Sequence, residues 1–173
     1  MSREPPATAR LSFYADATAL IGLARIGRLD LLTLLPTPVY VTAQVWEEAG
    51  GDASKPGVVA LQEARAKGLL AVVDEGNPQA FPRLDPGEST VLSAAAAAQA
   101  AVLLDERQAR ALISADASLR HSIRQATGII GLILLAKRRG RIAAVRPLLD
   151  ELIHQSSRIS PVFYQDILHQ VGE

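Results

Sequence analysis

The sequence predicts an α/β sandwich around a mostly parallel sheet with a helix-dominated C-terminal part, and two observations carry that expectation. Short β-rich apolar runs alternate with segments of helical spacing, the pattern of parallel strands joined by helical crossovers. From Glu106 onward the chain carries helical spacing almost throughout. The 173 residues suit one compact domain, and neither an internal repeat nor a linker divides them. Residues 11–173 therefore read as a single domain behind a polar, flexible tail at 1–10.

The elements follow in order. Leu11 to Ala15 is a short apolar run ending at Asp16, suited to a buried strand. From Thr18, the residues Leu20, Leu23, Ala24 and Ile26 follow helical spacing until Gly27. Leu29 to Leu35 suggests a further short helix, stopped by Pro36 and Pro38. Val39 to Val41 is β-rich and predicts a second strand. Thr42 is placed to cap a helix that carries Val45, Trp46, Glu47 and Glu48 and ends at Gly50-Gly51. Ser54 and Pro56 predict another helix, running to Gly68, with a third strand at Leu69 to Val73. Asp74 to Pro86 has no periodicity and reads as a loop. Asp85-Pro86-Gly87-Glu88 opens an alanine-rich helix, with Asp85 as cap and Glu88 completing a capping box. Ala101 to Leu104, ending at Asp105, is the fourth strand. Helices are expected after Glu106 and at Leu132 to Arg139, Ile142 to Gln155 and Ser160 to Gln170.

Composition excludes several classes. Hydrophobic residues make up 49% and charged residues 21%, an ordinary globular balance. Aromatics are only 4%, so the core has to come from Leu, Ile, Val and Ala. Without cysteine there is no disulfide framework, thiol nucleophile or cysteine zinc site. The N-terminus lacks the apolar stretch of a signal peptide. The longest strongly apolar run, Gly128 to Ala136, is nine residues, whereas a membrane span needs about 20. A soluble cytoplasmic protein is expected. Net charge is zero, but its distribution is uneven: 8 basic and 12 acidic residues through Asp105, then 10 basic and 6 acidic. That asymmetry allows one part to grip a polyanion while acids elsewhere serve another purpose, although scattered solvated charge explains it equally well.

The chemistry-bearing candidates are acids. Parallel sheets place their sites beyond the carboxyl ends of the strands, and two strands here end in aspartate, Asp16 and Asp105. Glu88, at a helix start, and Glu48, on the helix after the second strand, are positioned to face the same edge. Two charges 4 Å apart oppose each other by about 4 kcal/mol at an effective dielectric of 20. A divalent cation removes that cost, and hard Mg²⁺ prefers carboxylate oxygens. Each acid also has a plainer explanation. Asp16 and Asp105 are suited to caps or turns, Glu88 to a capping box, and Glu47 and Glu48 to a solvated helix face.

The phrases around these acids resemble the PIN-domain superfamily, in particular a VapC-like prokaryotic branch. DATALIGLARIGRLDLL (from Asp16) resembles its opening, where an aspartate closes the first strand. VTAQVWEEAG resembles the next element, whose V-x-x-E selects Glu48 over Glu47. LDPGESTVLSAAA resembles the helix that points to Glu88, and VLLDERQAR the element that points to Asp105, with Glu106 as a weaker companion. GLILLAKRRGRI, PLLDELI and RISPVFYQDIL resemble the C-terminal signature. The resemblance spans Leu11 to Gly172. It implies a three-layer α/β/α fold, Mg²⁺ or Mn²⁺ held by Asp16, Glu48, Glu88 and Asp105, metal-dependent RNA cleavage, and the role of toxin in a VapBC-type toxin–antitoxin pair with a small antitoxin as partner. A homodimer is implied too, and the apolar segment Leu132 to Leu135 offers a face for it. Two departures stand out. The segment between Asp105 and Gly131 is longer than the pattern expects, and Leu104-Asp105-Glu106 replaces the T-x-D element of better-studied members.

Other motifs fail. No phosphate loop or dinucleotide fingerprint is present, and Ser89 lacks the context of a hydrolase nucleophile. His121, His154 and His169 are dispersed. Asp16-Ala17-Thr18 lacks the second aspartate of haloacid-dehalogenase-like phosphotransferases. Lys137-Arg138-Arg139-Arg141 suits a helix terminus complementing its dipole as well as a phosphate-binding patch. Arg107 and Arg110, just after Asp105, are candidate RNA contacts. Three functions compete: a ribonuclease, an RNA-binding or scaffold protein with little or no nuclease activity, and a phosphotransferase using Asp16 as nucleophile.

Overall fold

Five short strands form one parallel sheet in the order β3-β2-β1-β4-β5. A computed structural model describes residues 10–155 and 157–173. The tail expected at 1–10 lies, apart from Arg10, outside the described residues. The strands are β1 (Phe13–Ala15), β2 (Val39–Thr42), β3 (Leu70–Val73), β4 (Ala101–Leu103) and β5 (Gln125–Thr127). Helices flank the sheet in the expected three-layer arrangement. They are α1 (Ala17–Arg25), α2 (Ala43–Gly50), α3 (Val58–Ala66), α4 (Pro86–Ala97), α5 (Arg107–Ala115), α6 (Ala117–Ser122), α7 (Ile129–Arg138), α8 (Arg146–His154) and α9 (Pro161–Val171).

The two central strands, β1 and β4, are buried at every position. Helices cover them on both faces, which is why they read as continuous apolar runs rather than alternating ones. Their register pairs Phe13 with Ala101 and Ala15 with Leu103, so both strands finish at the same level. The core is aliphatic, as the composition requires: Leu20, Leu23, Leu31, Leu32, Leu92, Leu103, Leu132, Ile133 and Leu149 are fully buried.

Several boundaries differ from the sequence reading. The short helix at 29–34 is present, as a 3₁₀ helix that ends one residue earlier than expected. α3 starts at Val58, not Ser54, behind Gly57 in the left-handed region at φ 88°. A Cβ at Gly57 would lie 2.9 Å from the Ala24 Cβ, so the chain turns there against α1. β4 ends at Leu103, which leaves Leu104 and Asp105 beyond the sheet. The fifth strand, which the sequence leaves unplaced between Asp105 and Gly131, is Gln125–Thr127. Gln125 and Ala126 are exposed and Thr127 is half-buried, so an edge strand of this kind carries no hydrophobic pattern to read. Residues 142–145 are not helical, because α8 begins at Arg146 with Pro147 in its first turn. The backbone N–H groups of Val145 and Arg146 donate to the Glu173 carboxylate at 2.8 and 2.9 Å, and Lys137 reaches the same group. This contact ties the end of α9 to the starts and ends of its neighbours.

The face suggested for self-association is largely used internally. Leu132 and Ile133 are buried in this chain's own core and Leu134 and Leu135 pack against it. Among the described residues the exposed large apolar side chains are instead Val59, Ile153, Val162 and Phe163. Among the described residues no helix is long and apolar enough to cross a membrane.

Candidate active site

The strand order reverses direction between β1 and β4: β2 and β3 extend to one side and β5 to the other. In open parallel sheets the crevice at such a switch point, beyond the carboxyl ends of the strands, is where sites form. Asp16 follows β1 directly and Asp105 lies just beyond β4, so the chain places both aspartates at this crevice.

Their positions are fixed by backbone donors. Asp16 Oδ1 accepts from the Ala19 N–H at 2.7 Å, capping α1. Its Oδ2 accepts from the Asp105 N–H at 3.3 Å, across the two strands. Asp105 Oδ1 in turn accepts from the Ile129 N–H at 2.9 Å. The cap residue of α7 is Gly128, which has no side chain to offer, and Asp105 reaches across from β4 to satisfy that helix start. A Cβ at Gly128 would sit 2.3 Å from Asp105 Oδ1, so glycine is required for the approach. Each aspartate therefore meets the positive end of a helix.

The capping reading of Asp16 is thus correct as geometry, yet it does not exhaust the residue. Asp16 is only 2% exposed. Burial pushes its carboxyl up to about 7, the Asp105 charge adds to the effect, and the N–H donors partly offset it. Asp105 is raised as well, by burial and by Glu106, while Ile129 N–H and the Arg110 guanidinium hold it down. Arg110 reaches the Leu104 carbonyl at 3.4 Å, so this candidate contact lies at the site. Arg107, one turn earlier on α5, is exposed.

The two glutamates form a separate, outer group on helices. Glu88 completes the predicted capping box: its backbone N–H donates to Asp85 Oδ1 at 2.8 Å and its Oε2 accepts from the Asp85 N–H at 3.3 Å. Glu48 lies across from it on α2. Its Oε2 would be 2.6 Å from a Cβ at Gly87, so the bare backbone of α4 leaves room for this carboxylate. Glu88 is pushed up to about 7, first by burial, then by the charges of Asp85, Glu106 and Glu48. Glu48 is raised by burial and by Asp85 and Glu47. Of the two adjacent glutamates, Glu48 is the one that lies against Gly87.

The four predicted acids are thus arranged as an inner pair, Asp16 with Asp105, and an outer pair, Glu48 with Glu88. Glu106 connects them, since its charge acts on both Asp105 and Glu88. Among the described residues no three acidic or histidine side chains converge as a ready-made ligand set. The donor chemistry nevertheless fits a hard divalent cation. All donors are carboxylate oxygens, their charges oppose one another, and two glycines leave space beside them. Asp85, which the sequence marks only as a cap, also adjoins this cluster, since its charge acts on both Glu88 and Glu48. The role of Gly128 was invisible because the strand before it was not recognised.

Residues 13–173 match the model of a family described as a PIN domain. Comparisons with curated proteins and with solved structures each return no match.

Proposed function

From the premise that the chain belongs to the PIN-domain family, a nuclease-type fold, we propose that it is a metal-dependent ribonuclease and the toxin of a toxin–antitoxin pair. The observation that carries this reading is the buried aspartate pair at the switch-point crevice, with Glu106, Glu88 and Glu48 leading outward from it. Acids raised above their ordinary range by burial, as Asp16 and Asp105 both are, cluster at functional sites.

Asp16, Asp105, Glu88 and Glu48 would hold Mg²⁺ or Mn²⁺, which when bound supplies a polarised water and charge stabilisation at a phosphodiester. The remaining work belongs to side chains of the chain itself. The N–H groups of Ala19 and Asp105 hold the Asp16 carboxylate in one orientation, so no reorganisation is needed at the moment of reaction. The Asp85 N–H engages Glu88 Oε2 at 3.3 Å and so orients this carboxylate toward the cluster. Arg110, and more distantly Arg107, supply positive charge for backbone phosphates without reading bases.

The test is cleavage of a structured RNA under Mn²⁺, with EDTA as control and a folded Asp16→Asn variant beside the wild type. Cleavage by that variant at the wild-type rate would refute the mechanism. The toxin role is checked by co-purification with the product of a short adjacent reading frame encoding a DNA-binding protein. Self-association into a homodimer is checked by sedimentation at micromolar concentration, where a sharp monomer would exclude it.

A second reading is favoured by one observation. Every predicted acid already has a hydrogen-bond or capping partner in the chain, and no three of the described acidic or histidine side chains converge. That suits an RNA-binding or scaffold protein with little nuclease activity. RNA binding that is unaffected by EDTA, without cleavage, would select it. A phosphotransferase is disfavoured, because both Asp16 oxygens face backbone N–H groups and the residue is buried.

A further inference from the structure

Two buried hydroxyls lie between the helices that carry the outer glutamates. Thr42, at the junction of β2 and α2, is 0% exposed, and Thr90, one turn into α4, is 4% exposed. Their Oγ1 atoms are 2.7 Å apart. Thr90 Oγ1 also donates to the Gly87 carbonyl at 2.7 Å, and Thr42 Oγ1 accepts from the Val45 N–H at 3.3 Å. A hydroxyl has one proton to give. Thr90 gives its proton to Gly87, so Thr42 must give its own to Thr90. The chain of donors therefore runs one way, from the Val45 N–H through Thr42 and Thr90 to the Gly87 carbonyl, from the first turn of α2 to the first turn of α4.

The same two helices touch at a second place, where Glu48 lies against Gly87. Going along α2 from 42 to 48, the partner on α4 moves back from 90 to 87. Two contacts of this kind fix both the sliding and the separation of the helices. We infer that Thr42 and Thr90 are positioning residues, a buried hydroxyl relay that sets the α2–α4 register bringing Glu48 beside Glu88. The inference rests on the proposed metal site and adds to it the device that fixes the geometry of its outer half. The plainer alternative, that the pair merely fills space, predicts that any side chains of equal shape would serve. They would not, because two hydroxyl oxygens approach to 2.7 Å while two methyl carbons need roughly 3.5–4 Å. Valines at both positions would force the helices apart by about 1 Å, a displacement that can cost a site a hundredfold.

The experiment measures binding of Mn²⁺ alone by electron paramagnetic resonance, with thermal unfolding of the metal-free protein in parallel. T90S keeps the hydroxyl and is expected to bind within about twofold of wild type, whereas T90V and T42V/T90V are expected to bind at least about tenfold more weakly. Stability reports a different loss in each variant. T90V strands the Thr42 proton in the core, while T42V/T90V spares that proton but leaves the Val45 N–H without its cap, so both variants should unfold at a lower temperature than wild type. T90A, which cannot overpack, replaces T90V if the latter does not fold. A folded T42V/T90V protein with wild-type Mn²⁺ affinity would overturn the relay and leave the metal site standing. Wild-type protein that binds no Mn²⁺ would overturn the metal site and the relay together.

Discussion

The inner and outer acids solve the same problem by different means. Asp16 and Asp105 are held by the sheet: adjacent parallel strands end at the same level, and backbone N–H groups orient both carboxylates. Glu48 and Glu88 are held by helices, one by a capping box and the other by the bare backbone at Gly87. The inner pair is the more buried, so its charge is costly without a counterion. The outer pair is more open to water, so part of its charge is screened. The difference teaches where the fold stores tension. The sheet edge carries a fixed electrostatic cost that a bound cation would relieve, and the helices carry more exposed, adjustable acids around it.

The largest effect should therefore fall on the inner pair. Asp16→Asn keeps the Ala19 cap but removes the charge and turns an amide toward the Asp105 N–H. Single-turnover cleavage should drop roughly a hundredfold or more, since lost metal charge is worth several kcal/mol and each 1.36 kcal/mol is about tenfold. Asp105→Asn should act alike, and the double variant should lose little more, because residues serving one centre fail together. Circular dichroism must show the fold retained. Multiplying losses in the double variant would show that the two aspartates act separately.

Metal and pH sharpen the same contrast. Asp16 and Glu88 have folded pKa values near 7, above their ordinary 3.8 and 4.5. Between those limits the native state holds more protons than the unfolded chain, so metal-free stability falls as pH rises from about 4 to about 7 and levels off above it. Protonated acids bind metal poorly, so Mn²⁺ should raise the melting temperature more at pH 8 than at pH 5.5. At a hundredfold excess over Kd the gain is about 2.7 kcal/mol. Equal gains at both pH values, or none, would break the link between acid repulsion and metal binding.

How much of this was legible in the sequence also divides along the inner–outer line. The strands ending at Asp16 and near Asp105 stood out because buried strands are continuous apolar runs, and the Asp85–Glu88 box stood out because caps have fixed spacing. The edge strand Gln125–Thr127 was not visible, since three residues, two of them exposed, show neither an apolar period nor a β-rich run. With it went the α7 start and the reason Gly128 is a glycine. Family resemblance named Glu48, but nothing local could show that Gly87 makes room for it or that Thr42 meets Thr90. Those contacts join residues 39 and 48 positions apart, and sequence pattern reports neighbours along the chain rather than across helices.

A smaller effect is expected from the outer acids. Glu88→Gln keeps an oxygen for the Asp85 N–H and removes a charge that burial opposes, so metal-free stability at neutral pH should hold or rise while cleavage falls about tenfold, roughly 1.4 kcal/mol. Glu88→Ala should lose activity to a similar extent and also cost about 0.5–1 kcal/mol of stability through the broken box. If both variants unfold at the wild-type temperature, the capping box contributes nothing. If Glu88→Gln cleaves as poorly as Asp16→Asn, the inner and outer acids are equivalent and the contrast between them fails.

The smallest effect concerns the arginines, and it separates two residues that sequence alone could not. Arg110 adjoins the inner pair: it reaches the Leu104 carbonyl and its charge lowers the Asp105 pKa. Arg107 is exposed on the same helix, as Arg110 is, but its charge is not among the influences on the Asp105 carboxyl. Replacing either with alanine should weaken RNA binding a few-fold and reduce the salt slope of binding by about 1 if each holds one phosphate. Only Arg110→Ala should also change the pH profile. Without that cation the Asp105 carboxyl titrates higher, so the acidic limb of the rate profile should move to higher pH. The check is the pH dependence of single-turnover cleavage at saturating Mn²⁺ for both variants. Identical profiles would place both arginines at the substrate alone, and a shifted limb confined to Arg110→Ala would place that residue within the electrostatics of the inner pair.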